Sequence, residues 1–189
     1  MKNNKQLDSK AHDAAWAFTV SEAEALLHAA WFYGPPCATY FILRMWAGLR
    51  ECEIRELDPS DLKSDTITVG NSTRRQVKLT PNVVMMLAIL RQEGRLTRDS
   101  LNPPARVVAP VIKKAGFVKK AESGGVSKSK PVWTNNIMRQ TALSYHFAQY
   151  TDMSLTCSWA GCSPSLVSHH YRGLVNHENA KRFWEVLPK

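Results

Sequence analysis

The sequence has no CxxC pair, no glycine-rich nucleotide loop and no uncharged apolar run long enough to cross a bilayer. Each absence removes a class of protein. The four cysteines are Cys37, Cys52, Cys157 and Cys162, and the Cys157/Cys162 spacing is not that of a zinc site. Six tryptophans and long helical patterns point to a core that needs no disulfide, so the cysteines read as reduced thiols of a cytoplasmic protein. The stretch MKNNKQLDSKAHDAAW lacks an apolar h-region, so no secretory signal is expected. His169 and His170 are adjacent, and neighbouring helical positions face different ways, so they cannot both chelate one ion. Ser163 and Ser165 lack a His/Asp setting for hydrolase chemistry, and Ser163 reads as a helix cap. The expectation is no metal, no cofactor and no membrane partner. Acid is also scarce: 16 Asp and Glu stand against 25 Lys and Arg, a net charge of +9 over 189 residues. Such a balance favours a polyanion partner, most simply nucleic acid.

What is present reads as one mainly helical domain. Residues 1–17 are polar and read as a flexible arm, with the domain proper at 18–189. Ser21 and Glu24 fit a capping box opening a helix through Leu26, Leu27, Ala30 and Trp31. After Gly34-Pro35-Pro36, Tyr40, Leu43 and Trp46 carry a second helix toward Gly48, and a short helix follows Arg50. Asp65–Val69 and Arg75–Leu79 alternate as strands around a polar GNST turn, a hairpin that is the one convincing β-element. Pro81 opens a helix that Gly94 stops, and Arg106–Lys114 forms another, capped by Gly116. Residues 119–131 are basic and Gly/Ser-rich, as a mobile loop would be. Thr134 caps a long helix to Tyr150. Shorter helices cover Ser154–Trp159 and Ser163–His170, and an amphipathic segment from Glu178 to Val186 carries Phe183 and Trp184.

Four separated segments share an ordered spacing. Gly48, Leu49, Arg50, Glu53 and Leu57 fill G-L-R-x-x-E-x-x-x-L. Arg75 and Val77 fill an R-x-V pattern closing the hairpin, and Asn136 to Arg139 occupy an H-x-x-R box. Gly161-Cys162 precedes Tyr171 by 171 − 162 = 9 positions. In this set the chain resembles the catalytic domain of tyrosine recombinases, the phage-type integrase family. The resemblance implies a mainly α fold with a small antiparallel β-hairpin or sheet, and cleavage and rejoining of double-stranded DNA through a 3′-phosphotyrosyl intermediate. It makes Tyr171 the nucleophile and Arg50 and Arg139 the clamp on the phosphate, with Asn136 and Cys162 completing the catalytic set. Guanidinium forks suit charge building on phosphoryl oxygens. Glu53, one turn beyond Arg50, is placed to orient a guanidinium.

Three departures bear on activity. The family's general-acid lysine sits in the hairpin turn, where this chain has Val69-Gly70-Asn71-Ser72-Thr73-Arg74. Arg74 and Lys78 are the nearest cations, and arginine is a poor proton donor. Asn136 stands where the second box has histidine, as in a sub-group of bacterial integrases, and hydrogen-bonds without shuttling protons. Cys162 replaces a histidine or tryptophan, and a thiol is a weak donor. His170 is a candidate substitute beside Tyr171. Losing a positioned general acid costs on the order of a hundredfold or more in rate, so a DNA-binding remnant without catalysis is the alternative, and a helical protein–protein scaffold a more distant third. The family's N-terminal DNA-gripping domain has no counterpart in residues 1–17, which implies weak, salt-sensitive binding. The Phe183/Trp184 segment resembles the family's final helix, which docks on a neighbouring protomer to form an oligomer on DNA; packing in cis is the other option.

Overall fold

The computed structural model describes residues 17–70, 74–119, 132–134, 136–170 and 175–188. The N-terminal arm, the core of the hairpin turn and most of the basic loop lie outside them.

Helix α1 (Val20–Phe32) starts at Thr19, not Ser21. Thr19 Oγ1 accepts the Glu22 amide at 3.2 Å, and Glu22 Oε2 accepts the Thr19 amide at 2.7 Å. Both Thr19/Glu22 and Ser21/Glu24 satisfy the pattern. The earlier start lets Val20, Ala23, Leu26, Leu27 and Ala30 all face the core. The preceding chain is pinned by Phe18, whose amide donates to Thr141 at 2.9 Å and whose carbonyl accepts the Tyr145 hydroxyl at 2.9 Å.

A 3-10 turn at Pro35–Cys37 leads into α2 (Ala38–Trp46), of which every residue but Tyr40 is buried. Helix α3 (Glu51–Glu56) follows, then a second 3-10 turn at Pro59–Lys63. Strands β1 (Thr66–Val69) and β2 (Arg75–Lys78) pair antiparallel, with Thr66 opposite Lys78 and Val69 opposite Arg75. Ile67, Val69 and Val77 turn inward, as the alternation requires.

Helix α4 (Pro81–Gln92) is followed by α5 (Arg98–Leu101), a single turn too short to leave a helical period in the sequence, and by α6 (Ala105–Lys114). The hairpin is not the only sheet. Strands β3 (Val118–Lys119) and β4 (Val132–Trp133) pair in parallel. Two-residue strands carry no alternation to read, and Trp133 is fixed by its contacts with Phe117 and Phe18.

Helix α7 (Ile137–Tyr150) runs through the centre and packs against α2, α8 and α10. Asn136, not Thr134, takes its cap position, while the Thr134 carbonyl accepts the Ile137 amide at 3.2 Å. Helices α8 (Met153–Ala160), α9 (Pro164–His170) and α10 (His177–Trp184) complete the chain. Asp152 caps α8, accepting the Leu155 amide at 2.9 Å, so the helix starts one residue before Ser154.

The C-terminal aromatic pair is used within the chain. Phe183 is fully buried, stacked on Tyr145 at 3.9 Å and on Trp46 at 5.3 Å between ring centroids. The Trp46 indole donates to the Phe183 carbonyl at 3.0 Å. Burying a phenylalanine contributes about 1.5–3 kcal/mol. This aromatic layer holds α10 on α2 and α7, and so fixes the elements that carry the site.

Candidate phosphate-binding site

Two left-handed glycines shape one corner of the molecule. After α2, Gly48 takes φ +60, and a Cβ there would lie 2.7 Å from the Trp159 ring. At the end of α8, Gly161 takes φ +62 and closes the helix by donating its amide to the Cys157 carbonyl. Both conformations suit glycine and strain other residues. Trp159 joins the two sides, lying over Gly48 and donating its indole N–H to the Lys78 carbonyl of β2 at 3.3 Å.

Three arginines meet at this corner. Leu49 anchors the turn from beneath, its amide donating to the Leu43 carbonyl at 3.1 Å, and Arg50 follows in extended conformation at the start of α3. The buried Glu53 carboxylate accepts the Arg50 amide at 2.6 Å and pairs with Arg50 Nη1 at 2.9 Å. Arg50 Nη2 donates to the Gly161 carbonyl. From β2, Arg75 approaches the same carboxylate, with Nη1 3.1 Å from Oε1 and Nη2 3.2 Å from Oε2. Arg139, from the first turn of α7, donates through Nη1 to the Gly48 carbonyl and through Nη2 to the Ala160 carbonyl at 2.6 Å. The C-terminal carbonyls of α8 are therefore met by cations, where helix geometry leaves them without partners.

The balance of charge is positive: three guanidiniums and one carboxylate leave 3 − 1 = 2 positive charges. Burial pushes Arg139 down to about 10, with repulsion from Arg50 adding to it and Glu53 opposing, so it stays cationic at neutral pH. Burial likewise lowers Arg75, against the pull of Glu53. The Cys162 thiol is raised by burial and by Cys157, while Arg139 and Arg50 pull it the other way.

The structure brings Arg50, Glu53, Asn136, Arg139 and Cys162 together. Asn136 is exposed at the head of α7 and lines, with Arg50, Arg139 and Trp133, a cleft of about 650 Å³. Cys162 lines a second cleft of about 550 Å³ with Arg50, Glu53 and Arg75. Arg50 is thus the wall between the two. Lys78 is not brought in: it is exposed at the end of β2 far from the turn, on the strand face opposite Arg75. Arg74 is exposed just before β2. Tyr171, the turn residues 71–73 and the side chain of His170 lie outside the described residues, as does the loop at 120–131. No cluster of metal-ligating residues occurs among the described residues. Arg75 is the residue that motif reading left as a mere spacing marker. Its place one strand alternation from the buried Val77 was the available signal.

No protein-family model matches the chain, and no curated protein sequence does. A solved structure does: the crystal structure of XerA recombinase superposes with a TM-score of 0.63 over 92% of this chain at 17% sequence identity. The fold is that of a tyrosine recombinase. The likeness is one of architecture, and this chain spans 65% of that neighbour's length. No helix among the described residues is long and apolar enough to cross a membrane.

Proposed function

We propose that this protein breaks and rejoins double-stranded DNA, with Tyr171 as nucleophile. The observation that carries the reading is the pairing of Arg50 and Arg75 on the Glu53 carboxylate with Arg139 held at the same corner by the Gly48 and Ala160 carbonyls, on a recombinase fold. A phosphodiester under attack concentrates negative charge on its equatorial oxygens, and preorganised guanidiniums stabilise that charge more than the ground state. Arg50, with 42% of its side chain exposed, presents the accessible fork. Arg139 supplies charge from the floor of the site, and Asn136 and Cys162 offer neutral hydrogen bonds from either cleft.

In the reaction, a bond forms between the Tyr171 oxygen and phosphorus as the bond from phosphorus to the 5′ oxygen breaks. The phenol gives up its proton and the 5′ oxygen takes one up. The phosphodiester energy is kept in the phosphotyrosyl link, so the reverse steps rejoin the strand. Residues 18–189 would form the catalytic unit with 1–17 as its arm, acting on DNA in the cytoplasm of a bacterial or phage system. Because Phe183 is occupied in cis, protomers assembling on DNA would use other faces of α10.

A second reading, a DNA-binding remnant without catalysis, is favoured by one observation: both terminal nitrogens of Arg139 already donate to backbone carbonyls. The absence of lysine between Val69 and Arg74 points the same way. Incubation with nicked duplex substrates that trap the cleaved state separates the two. A covalent protein–DNA species lost in Tyr171→Phe supports the enzyme. DNA binding with no covalent species over many substrates supports the remnant.

A further inference from the structure

We infer that Arg75 is a positioning residue that neutralises Glu53 and so leaves Arg50 charged toward an oxyanion of the phosphate or sulfate class. The inference rests on the phosphate-site reading of this corner, and not on whether Tyr171 cleaves DNA. Glu53 has 8% of its side chain exposed and accepts three hydrogen bonds, from Arg50 Nη1 at Oε1 and from the Arg50 amide and Arg75 Nη2 at Oε2, with Arg75 Nη1 in ion-pair contact with Oε1 at 3.1 Å. With one arginine alone, such a carboxylate would make a neutral pair, and Glu53 repulsion would offset much of the Arg50 attraction felt by an incoming anion. The second guanidinium changes the sum. Arg50, Arg75 and Glu53 together carry 2 − 1 = 1 positive charge, and only Arg50 of the three is substantially exposed, at 42% of its side chain against 11% for Arg75. Arg75 thus acts through Glu53 and not by touching the anion.

The site is built to hold Arg75 in place. It heads β2 opposite Val69, so the hairpin register sets its height. Its Nε is buried and lies where a Cβ on Gly161 would come within 2.7 Å, so the bare Cα of Gly161 gives the guanidinium its room. The same Gly161 offers its carbonyl to Arg50 Nη2. One residue without a side chain therefore admits one arginine and aims the other.

The test is a double-mutant cycle on the whole chain: Arg75→Gln, Glu53→Gln and the pair, with Arg75→Lys as the conservative variant. Sulfate affinity is read from the Arg50 guanidinium resonances by NMR, and each variant's melting curve is recorded so that affinity refers to folded protein. Arg75→Gln should weaken sulfate roughly tenfold, and adding Glu53→Gln should restore it to within about threefold of wild type, a coupling of the size seen between contacting charges. Arg75→Lys should fall between, since it keeps the charge and loses the fork. A purely structural role predicts restored melting without restored sulfate affinity. That result, a double variant as weak as Arg75→Gln, or a wild-type Arg50 resonance that sulfate does not move, would each overturn the inference. Where Arg75→Gln does not fold, Arg75→Lys and the double variant decide it on the same readouts. A cycle that behaves as expected in a protein giving no covalent DNA species would keep this role for Arg75 and discard the cleavage reading.

Discussion

Arg50 and Arg139 flank the same corner, yet they are held in different ways. Arg50 leans on a side chain, Glu53, and on one carbonyl, with 42% of its side chain exposed. Arg139 sits deeper and puts both terminal nitrogens on backbone carbonyls, those of Gly48 and Ala160. The first arrangement keeps a cation ready for an anion. The second ties the end of α2 to the end of α8 and would hold the corner together even in a protein that bound nothing. On the proposed function, two arginines of one motif set divide the labour between recognition and support.

Substitutions that act on one side only should expose that division. The largest effect belongs to Arg139→Ala, which frees two buried carbonyls and should cost about 3 kcal/mol of stability, read by urea unfolding. Arg50→Ala costing as much would break the comparison. Acid should loosen the same supporting side. His146 stacks on Trp159 at 4.3 Å between ring centroids, and burial pushes it down to about 4. Its folded value lies below the unfolded one, so the unfolded chain binds the extra proton first. The stability this group contributes is present above about pH 6.5 and is lost as pH falls toward about 4, an effect of order 3 kcal/mol. His146→Gln should flatten that part of the unfolding profile, and an unchanged acid limb would contradict the assignment.

A smaller effect is expected from Gly161→Ala. A Cβ there strains a backbone at φ +62 and crowds Arg75 and Arg50, costing about 1–3 kcal/mol and weakening anion binding through the displaced guanidiniums. Calorimetric unfolding alongside sulfate titration measures both. The smallest stability change belongs to Arg50→Ala, about 1 kcal/mol, because Arg50 is the more exposed partner and the buried Glu53 keeps its pairing with Arg75. Yet sulfate and DNA binding should fall far more than in any variant of the supporting side. Retained DNA affinity at several salt concentrations would show that Arg50 is not the recognition fork.

How far the sequence carried depends on the range of each contact. Helices longer than two turns and the hairpin were legible, because their periodicity is local. The start of α1 was misplaced because Thr19/Glu22 and Ser21/Glu24 are equally good boxes, and core packing chooses between them. The β3–β4 pair was missed because its partners lie on either side of a long polar segment and span two residues each. At the site, Arg50 and Glu53 were legible from their i, i+3 spacing. The meeting of Arg75 with Glu53 spans 22 residues and that of Arg139 with the Gly48 carbonyl spans 91, distances over which no local pattern survives. Lys78 was a candidate by sequence proximity to the turn, and strand alternation turned it away from the cluster.

The most direct measurement is a peptide map of protein trapped on nicked duplex DNA. The account predicts a nucleotide-bearing peptide that contains Tyr171, with the modification on its phenol oxygen, and its disappearance in both Tyr171→Phe and Arg50→Ala. A covalent link on another residue, or one that persists in Arg50→Ala at wild-type yield, would contradict it.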